Sequence, residues 1–243
     1  MNLGSACRAL VNMGLSDLVL VAPECDPTDE DAITFAMRGK HLLREARIVP
    51  TIEEALQGCV LSYAATGKKG AHRNQAAETA RAAAERTMQT VASGPVAIAF
   101  GPEDRGLLKH EILQFDRVIE IEAAPTYPVL NLAMAVMVVA YDLQHAARAY
   151  QPPPETTEPR ALDEHKVVFY DKLFDALDRI GFFARQQTSE HLRFAIRRVF
   201  GRTDMSANEL DVLIGIASQI HWYANQSGKE FRAPHQYPPE NPS

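Results

Sequence analysis

Two hydrophobic periodicities alternate along the first 150 residues of the chain. Short apolar runs bounded by turn residues predict β-strands at 18–21, 60–65, 96–100 and 118–121. Apolar residues at helical spacing predict helices between them, at 6–13, 29–38, 52–57 and 75–92. Strands that alternate with helices favour a parallel sheet covered on both faces. The pattern therefore predicts an α/β domain over residues 1–150.

A proline-rich segment separates this domain from the rest of the chain. Residues 151–160 contain four prolines, which cannot sustain a helix and favour an extended linker. Residues 161–226 show three apolar stripes at helical spacing and predict a small all-α domain. Ser206 and Glu209 have capping-box spacing before the third helix, and we expect Ile216 and Trp222 in its core. The polar, proline-containing residues 227–243 predict a disordered tail.

Composition narrows the class of protein. Of 243 residues, 46% are hydrophobic and 23% are charged, which is typical of a globular protein. The N-terminus lacks a basic segment followed by an apolar run, and the longest apolar stretch, 132–141, is too short to span a bilayer. The three cysteines form no C-x-x-C pair, and no two histidines have metal-ligand spacing beside a carboxylate. We expect a cytoplasmic protein that has no membrane-spanning segment, no disulfide bond and no bound metal ion.

The net charge of −6 argues, taken alone, against a nucleic-acid partner. Phosphate contacts, however, need only local basic surface. One basic cluster contains Lys68, Lys69 and Arg73, and a second lies within residues 185–202 and contains Arg193, Arg197 and Arg198. Each cluster is either a phosphate-binding surface or a solvated face.

Three short motifs carry the candidate chemistry: Asn-Leu-Gly-Ser-Ala-Cys-Arg at 2–8, Phe-Gly-Pro-Glu-Asp-Arg-Gly-Leu at 100–107, and Leu-Asn-Leu-Ala-Met-Ala-Val at 130–136. In the first motif, we expect Asn2 and Gly4 to precede a helix from which Arg8 projects. A helix N-terminus and an arginine suit phosphate. The alternative is an ordinary helix start with a surface cation.

The second and third motifs flank predicted regular structure. Gly101 and Glu103 follow the strand at 96–100, and ligands of open α/β sheets bind where strands end. An ordinary turn is the alternative. Asn131 is a predicted cap of an apolar helix to about residue 149, buried against the sheet or against another subunit. The loop 65–70 has two glycines and two lysines, which suit phosphate, without P-loop spacing.

Together and in this order, the three motifs resemble those of the SpoU (SPOUT) family of RNA ribose 2′-O-methyltransferases. Residues 169–182, 192–202 and 209–213 resemble the helical C-terminal extension of its TrmJ-type tRNA methyltransferases. The resemblance implies an α/β SPOUT fold with a C-terminal trefoil knot, followed by a small all-α domain. It also implies an S-adenosylmethionine cofactor and a homodimer built on the helix of the third motif.

The resemblance assigns roles to individual residues. The catalytic positions are Arg8, Asn2, Glu103 and Asn131. The cofactor-contacting positions are Ala65, Thr66, Gly67, Gly101, Ile121, Val129, Leu130 and Asn131. The RNA-binding positions are Lys68, Lys69, Arg73, Arg193, Arg197 and Arg198. Arg8 would act near the cofactor of the partner subunit.

The implied reaction is attack of a ribose 2′-hydroxyl on the cofactor's methyl group, without a metal. Because a guanidinium has a pKa of roughly 12.5–13.8, we favour Arg8 as a phosphate clamp that stabilises the developing alkoxide over Arg8 as a base. The expected substrate is cytidine or uridine at nucleotide 32 of the tRNA anticodon loop. The alternatives are a ribosomal RNA methyltransferase and a non-catalytic RNA-binding relative.

The sequence departs from the family pattern in two places. Family members carry a β-strand before the first motif, whereas this chain starts at Met1; either the start is misassigned or trimmed, or the sheet lacks one strand. Residues 65–68 read Ala-Thr-Gly-Lys, where relatives usually show a Thr-Ser-type stretch. We expect backbone contacts to the cofactor to tolerate this change.

Overall fold

The computed structural model describes residues 2–67, 77–151, 159–184 and 189–227. The strands of these residues are β1 (Val19–Val21), β2 (Arg47–Val49), β3 (Leu61–Thr66), β4 (Glu78–Thr79), β5 (Val96–Phe100) and β6 (Arg117–Glu120). The helices are α1 (Asn2–Asn12), α2 (Glu30–Ala36), α3 (Lys40–Glu45), α4 (Ile52–Leu56), α5 (Ala80–Thr90), α6 (Lys109–Ile112), α7 (Leu132–Ala149), α8 (Asp163–Arg179), α9 (Ser189–Gly201) and α10 (Ala207–Ser227). Short 3₁₀ turns follow α2 at Met37–Gly39 and α5 at Val91–Ser93.

All strand pairs are parallel. β4, β6, β3 and β5 form one sheet in that order, and β1 and β2 form a second. The predicted α/β class is confirmed. The trefoil knot and the lack of one strand stay predictions.

The central strand β3 is covered on both faces because its side chains alternate between them. Leu61, Tyr63 and Ala65 pack with residues of α5 and α7. Ala64 points to the other face and packs with Ile112 of α6. This arrangement explains why β3 reads as a continuous buried run.

Helix α1 joins the two sheets. Cys7 lies in a cluster with residues of α2 and α3 that also contacts Leu18, next to β1. Ala6 and Ala9 lie in another cluster with Val136 of α7 that contacts Phe100 of β5. The position of α1 therefore depends on both sheets.

The helical domain docks at the N-terminal ends of the strands. Lys166 Nζ of α8 donates to Asp116 Oδ2 at 2.8 Å and to the Val60 carbonyl at 3.0 Å. The Ser62 amide donates to the same carboxylate oxygen at 2.9 Å. Arg117, the first residue of β6, donates to the Arg202 carbonyl at 2.7 Å. These contacts fix the helices to the edge where β3 and β6 begin.

Most predicted elements of both domains are confirmed. The capping box before α10 is also present: the Ser206 amide donates to Glu209 at 2.8 Å, and the Glu209 amide donates to Ser206 at 3.2 Å.

The predicted helix over 75–92 was too long. Within the described part, Glu78–Thr79 pairs with β6, and Thr79 accepts a hydrogen bond from the Ala82 amide, so α5 begins at Ala80.

Two further expectations were wrong. Asn2 and Gly4 lie inside α1 and not before it, because Gly4 packs against the backbone of Ala32 and Ala36 on α2. Ile216 and Trp222 of α10 are 51% and 55% exposed, since α10 contacts α8 through other residues.

Of the predicted tail, only Ser227 falls within the described residues. Residues 152–158 of the predicted linker lie outside them.

No helix among the described residues is both long enough and apolar enough to cross a membrane. Within the same residues, no group of three or more histidine, cysteine or acidic side chains is arranged to hold a metal ion.

Asp163 makes the stability of the domain contact depend on pH. Burial, and secondarily the charge of Asp116, raise the pKa of its carboxyl from 3.8 to about 7. The cost of the folded carboxylate therefore grows as pH rises from about 4 to about 7 and is complete above that range. We expect Asp163→Asn to stabilise the protein, by roughly 2 kcal/mol more at pH 8 than at pH 5.

Urea unfolding of Asp163→Asn at both pH values measures this difference. Asp171→Asn, at an exposed position of the same helix, is the matched control. A pH-independent effect of Asp163→Asn would show that the carboxyl is not held in its neutral form.

Candidate active site

The ends of three parallel strands bring five of the predicted cofactor positions to one edge. Ala65 pairs with Phe100 and Thr66 pairs with Glu120, so β3, β5 and β6 end at the same level. Residues 65–67, Gly101 and Ile121 follow or complete these strands. This is the edge at which ligands of parallel α/β sheets bind.

The loop of the second motif is closed on itself. A Cβ at Gly101 would collide with the backbone of Gly106 and Leu107. The Gly106 amide donates to the Pro102 carbonyl at 2.8 Å, and Gly106 has φ +66°, a conformation that favours glycine. Both glycines are therefore required by the shape of the loop.

The loop before the third motif approaches the end of β3. A Cβ at Gly67 would lie 3.5 Å from the Pro128 carbonyl oxygen and 3.7 Å from the Cα of Val129. Val129 is 51% exposed, whereas Ile121 is partly buried against the core. The cofactor positions of the third motif thus lie beside those of β3.

The side chain of Asn131 joins the three motifs. Its Nδ2 donates to Asn2 Oδ1 at 3.2 Å and to Glu103 Oε1 at 2.6 Å. Its Oδ1 accepts from the Ala133 amide at 2.9 Å and caps α7. Both amide hydrogens and the carbonyl are used, so the side chain is fixed in one orientation. Three of the four predicted catalytic residues therefore meet.

Arg8 is the fourth, and it lies apart from this group. It comes six residues after Asn2, which places it about 9 Å further along α1 and on a different side of the helix. Its side chain is exposed, so it is available to a ligand or to another subunit.

Of the predicted RNA-binding residues, Lys68, Lys69 and Arg73 lie outside the described residues. Arg193, Arg197 and Arg198 are half-buried on α9. The guanidinium of Arg193 lies 4.5 Å from the ring centre of Phe183, and that of Arg197 lies 4.4 Å from the ring centre of Tyr170. These cations therefore also contribute to packing of the helical domain.

Burial affects two of the titratable groups near these sites. It raises the pKa of the Cys7 thiol, next to Arg8, to about 11, so the thiol is neutral at physiological pH and is no candidate nucleophile. It also lowers the pKa of the Arg197 guanidinium, although nearby acids oppose this effect. The acidic groups around the desolvated Arg197 guanidinium therefore stabilise its charged form.

An ion pair that was not predicted from the sequence holds the second motif. Arg105 Nη1 lies 3.3 Å from Glu111 Oε2, and the same oxygen accepts from the Leu108 amide at 2.6 Å. The signal is an acidic residue three positions after the N-cap residue Leu108 of the short helix α6, a typical capping spacing.

Two known families match different parts of the chain. The SpoU rRNA Methylase family matches residues 1–141, which contain all three motifs. The chain belongs to the SpoU methylase family. The family described as tRNA methyltransferase TrmJ, C-terminal domain, matches residues 164–231.

Curated relatives are similar to this SpoU family member over most of its length. The tRNA (cytidine/uridine/adenosine-2′-O-)-methyltransferase TrmJ of Pseudomonas aeruginosa is 34% identical over 229 residues, covering 90% of this chain and 88% of the relative. The tRNA (cytidine/uridine-2′-O-)-methyltransferase TrmJ of Escherichia coli K12 is also 34% identical, covering 90% and 89%. The crystal structure of TrmJ from Z. mobilis ZM4 has a TM-score of 0.75 at 30% identity, covering 90% and 93%.

The close approach at Gly101 generates a prediction for stability. We expect Gly101→Ala to lower the free energy of unfolding by about 1–3 kcal/mol, because the added methyl group must displace backbone. A methyl group at Gly215 of α10 would meet open space. Gly215→Ala is therefore the control, and we expect it to raise stability by about 0.5–1 kcal/mol.

Urea unfolding of the two variants measures both effects. Equal effects at Gly101 and Gly215 would contradict the described shape of the second-motif loop.

Proposed function

We propose that this SpoU family member transfers a methyl group from S-adenosylmethionine to a ribose 2′-hydroxyl of tRNA in the cytoplasm. The observation that carries the proposal is the Asn131 side chain, which hydrogen-bonds residues of the other two family motifs beside the strand ends. The tRNA substrate is supported by the TrmJ relatives and by the match to the TrmJ C-terminal domain.

The strand ends fit a nucleoside cofactor. The predicted cofactor positions combine backbone polar groups with partly exposed apolar side chains, as ligand pockets require. These positions are residues 65–67, Gly101, Ile121 and 129–131. Gly67 lies beside the Pro128 carbonyl, so the end of β3 and the loop before the third motif border the same place. When bound, the cofactor supplies an electrophilic methyl group. The protein must then orient the ribose hydroxyl toward it and stabilise the developing negative charge.

Asn131 is a positioning residue in this mechanism. Since its side-chain hydrogen bonds are used within the protein, it fixes Asn2 at the start of α1 and Glu103 in the second-motif loop. Glu103 is exposed, and its carboxylate accepts the hydrogen bond from Asn131 Nδ2. These contacts hold the edges of the site rigid.

Arg8 is the catalytic residue that we propose to act on the RNA. Its permanently charged guanidinium binds a phosphate next to the target ribose and lowers the pKa of the 2′-hydroxyl electrostatically. This role requires positive charge more than proton transfer. Arg8→Lys should therefore retain part of the activity that Arg8→Ala loses.

We propose a homodimer that pairs the α7 helices. Met134, Val138 and Tyr141 lie at helical spacing on one side of α7 and are 61%, 37% and 56% exposed. A partner subunit on this apolar side would bury it. In this dimer, Arg8 serves the cofactor of the partner subunit.

The helical domain contributes further phosphate contacts in this proposal, through Arg193, Arg197 and Arg198. Lys68, Lys69 and Arg73 contribute contacts next to the strand ends. The target is nucleotide 32 of the anticodon loop, cytidine or uridine. Ribosomal RNA is the second candidate, since the family that matches residues 1–141 is described by rRNA methylation.

Methyl transfer from labelled S-adenosylmethionine to an unmodified tRNA transcript tests the proposal. We expect a 2′-O-methylated pyrimidine after digestion to nucleosides, at least 100-fold less with Arg8→Ala, and intermediate transfer with Arg8→Lys. A transcript with 2′-deoxyribose at nucleotide 32 should accept no methyl group. The same substitution at nucleotide 33 is the control.

Three results would contradict parts of this proposal. Transfer to ribosomal RNA alone would overturn the tRNA substrate, and transfer to the 32-deoxy transcript would overturn the position. No transfer to either RNA would favour a non-catalytic RNA-binding protein.

A further inference from the structure

A group of exposed cations lies on α3 and on the 3₁₀ turn that joins it to α2, outside every site named so far. We call Arg38, Lys40 and Arg44 the α2–α3 cations; all three side chains are exposed. Residues 37–44 contain no acidic residue. Within the described part of the chain, none of the three forms an ion pair. Their charges are therefore available to a ligand.

The fold places these cations beside Arg8. Gly39 lies between Arg38 and Lys40 and packs directly on α1. A Cβ at Gly39 would lie 2.8 Å from the Cys7 carbonyl oxygen and 3.1 Å from the backbone nitrogen of Arg8. This close approach is possible only because Gly39 has no side chain. The α2–α3 cations thus lie on the protein surface next to the proposed catalytic arginine.

The buried side of α3 explains how the cations are presented. Leu42 and Leu43 are buried in the cluster that contains Cys7 of α1. Lys40 and Arg44 are four residues apart and share the opposite, exposed side. The packing that buries Leu42 and Leu43 therefore directs the side chains of Lys40 and Arg44 toward solvent. They project from the surface that also carries Arg8.

Helix stability accounts for only two of the three cations. Arg38 follows the C-terminal end of α2 and Arg44 lies in the last turn of α3, where a cation is favourable. Lys40 is the first residue of α3, where a cation is unfavourable. In addition, Met37 has φ +51°, a conformation that is uncommon for a residue with a side chain. A costly turn and an unfavourably placed charge indicate a functional demand.

We propose that the α2–α3 cations bind phosphates of the RNA strand that enters the site at Arg8. The proposal rests on the proposed RNA substrate and extends the Arg8 phosphate contact to neighbouring nucleotides. Three cations next to Arg8 give this region a positive surface in a chain whose net charge is −6. Such local surface is sufficient for phosphate binding.

The salt dependence of tRNA binding tests this surface. We expect Lys40→Gln/Arg44→Gln to reduce the slope of log affinity against log salt by about 1.4–1.8, since each lost phosphate contact removes roughly 0.7–0.9. Adding Arg38→Gln should remove a further contact. With saturating tRNA, the rate of methyl transfer should stay near that of the parent, while KM for tRNA rises.

The matched control also removes one lysine and one arginine. Arg179→Gln/Lys172→Gln changes two exposed side chains. Arg179 lies seven residues after Lys172 on the same side of α8, and its ion pair with Asp175 is exposed and contributes little to stability. Lys172 is two residues from Tyr170 and Phe174 and so projects from the side of α8 opposite to Arg193 and Arg197. We expect the parent slope from this control.

The outcomes separate this proposal from the proposed function. If the parent methylates tRNA and Lys40→Gln/Arg44→Gln keeps the parent slope, the α2–α3 surface is overturned and the function stands. Equal losses in the variant and the control would also overturn it, because the effect would then reflect net charge. A parent that neither binds nor methylates tRNA would overturn both.

Discussion

The parallel direction of β3, β5 and β6 is the constraint on which the arrangement of this protein depends. Parallel pairing brings the ends of the three strands to one edge and their beginnings to the other. The first edge carries the candidate active site, and the second holds the helical domain through Lys166 and Asp116. The six residues of β3 separate the two edges by about 20 Å. Stability of the domain contact and chemistry of the site are therefore set by different residues.

Within the first edge, one side chain joins segments that are far apart in sequence. Asn131 lies 129 residues from Asn2 and 28 residues from Glu103, and it hydrogen-bonds both. Because the same side chain caps α7, the start of that helix, the start of α1 and the second-motif loop are held together. α1 also carries Arg8 and contacts Gly39, which lies between two of the α2–α3 cations in sequence.

The sequence predicted those parts of the fold that rest on local pattern. β3 and β5 are apolar runs, and Asn131 and Ser206 are polar residues at helix starts, so both signals lie within a few residues. The strands β2 and β4 were missed because Arg47–Val49 begins with a charged residue and Glu78–Thr79 is entirely polar, so neither shows the apolar run from which β1, also three residues long, was predicted. α1 begins earlier than predicted because Gly4 serves helix packing, a contact with a distant segment.

The site was predicted as residue types at three motifs and by family resemblance, and not as contacts. The hydrogen bonds of Asn131, the Arg105–Glu111 ion pair and the approach of Gly39 to Arg8 depend on tertiary structure. The α2–α3 cations were not predicted because two buried leucines interrupt them in the sequence, and because their position beside Arg8 depends on the packing of Gly39 on α1.

Binding of S-adenosylmethionine, followed by NMR on ¹⁵N-labelled protein, tests the central claim most directly, because the claim concerns where the three motifs meet. The account predicts saturable shifts of the Thr66, Gly67, Gly101 and Ile121 backbone amides and of the Asn131 side-chain amide. Saturable shifts confined to the opposite edge of the sheet, around Asp116 and Asp163, would contradict it, as would the absence of any saturable shift.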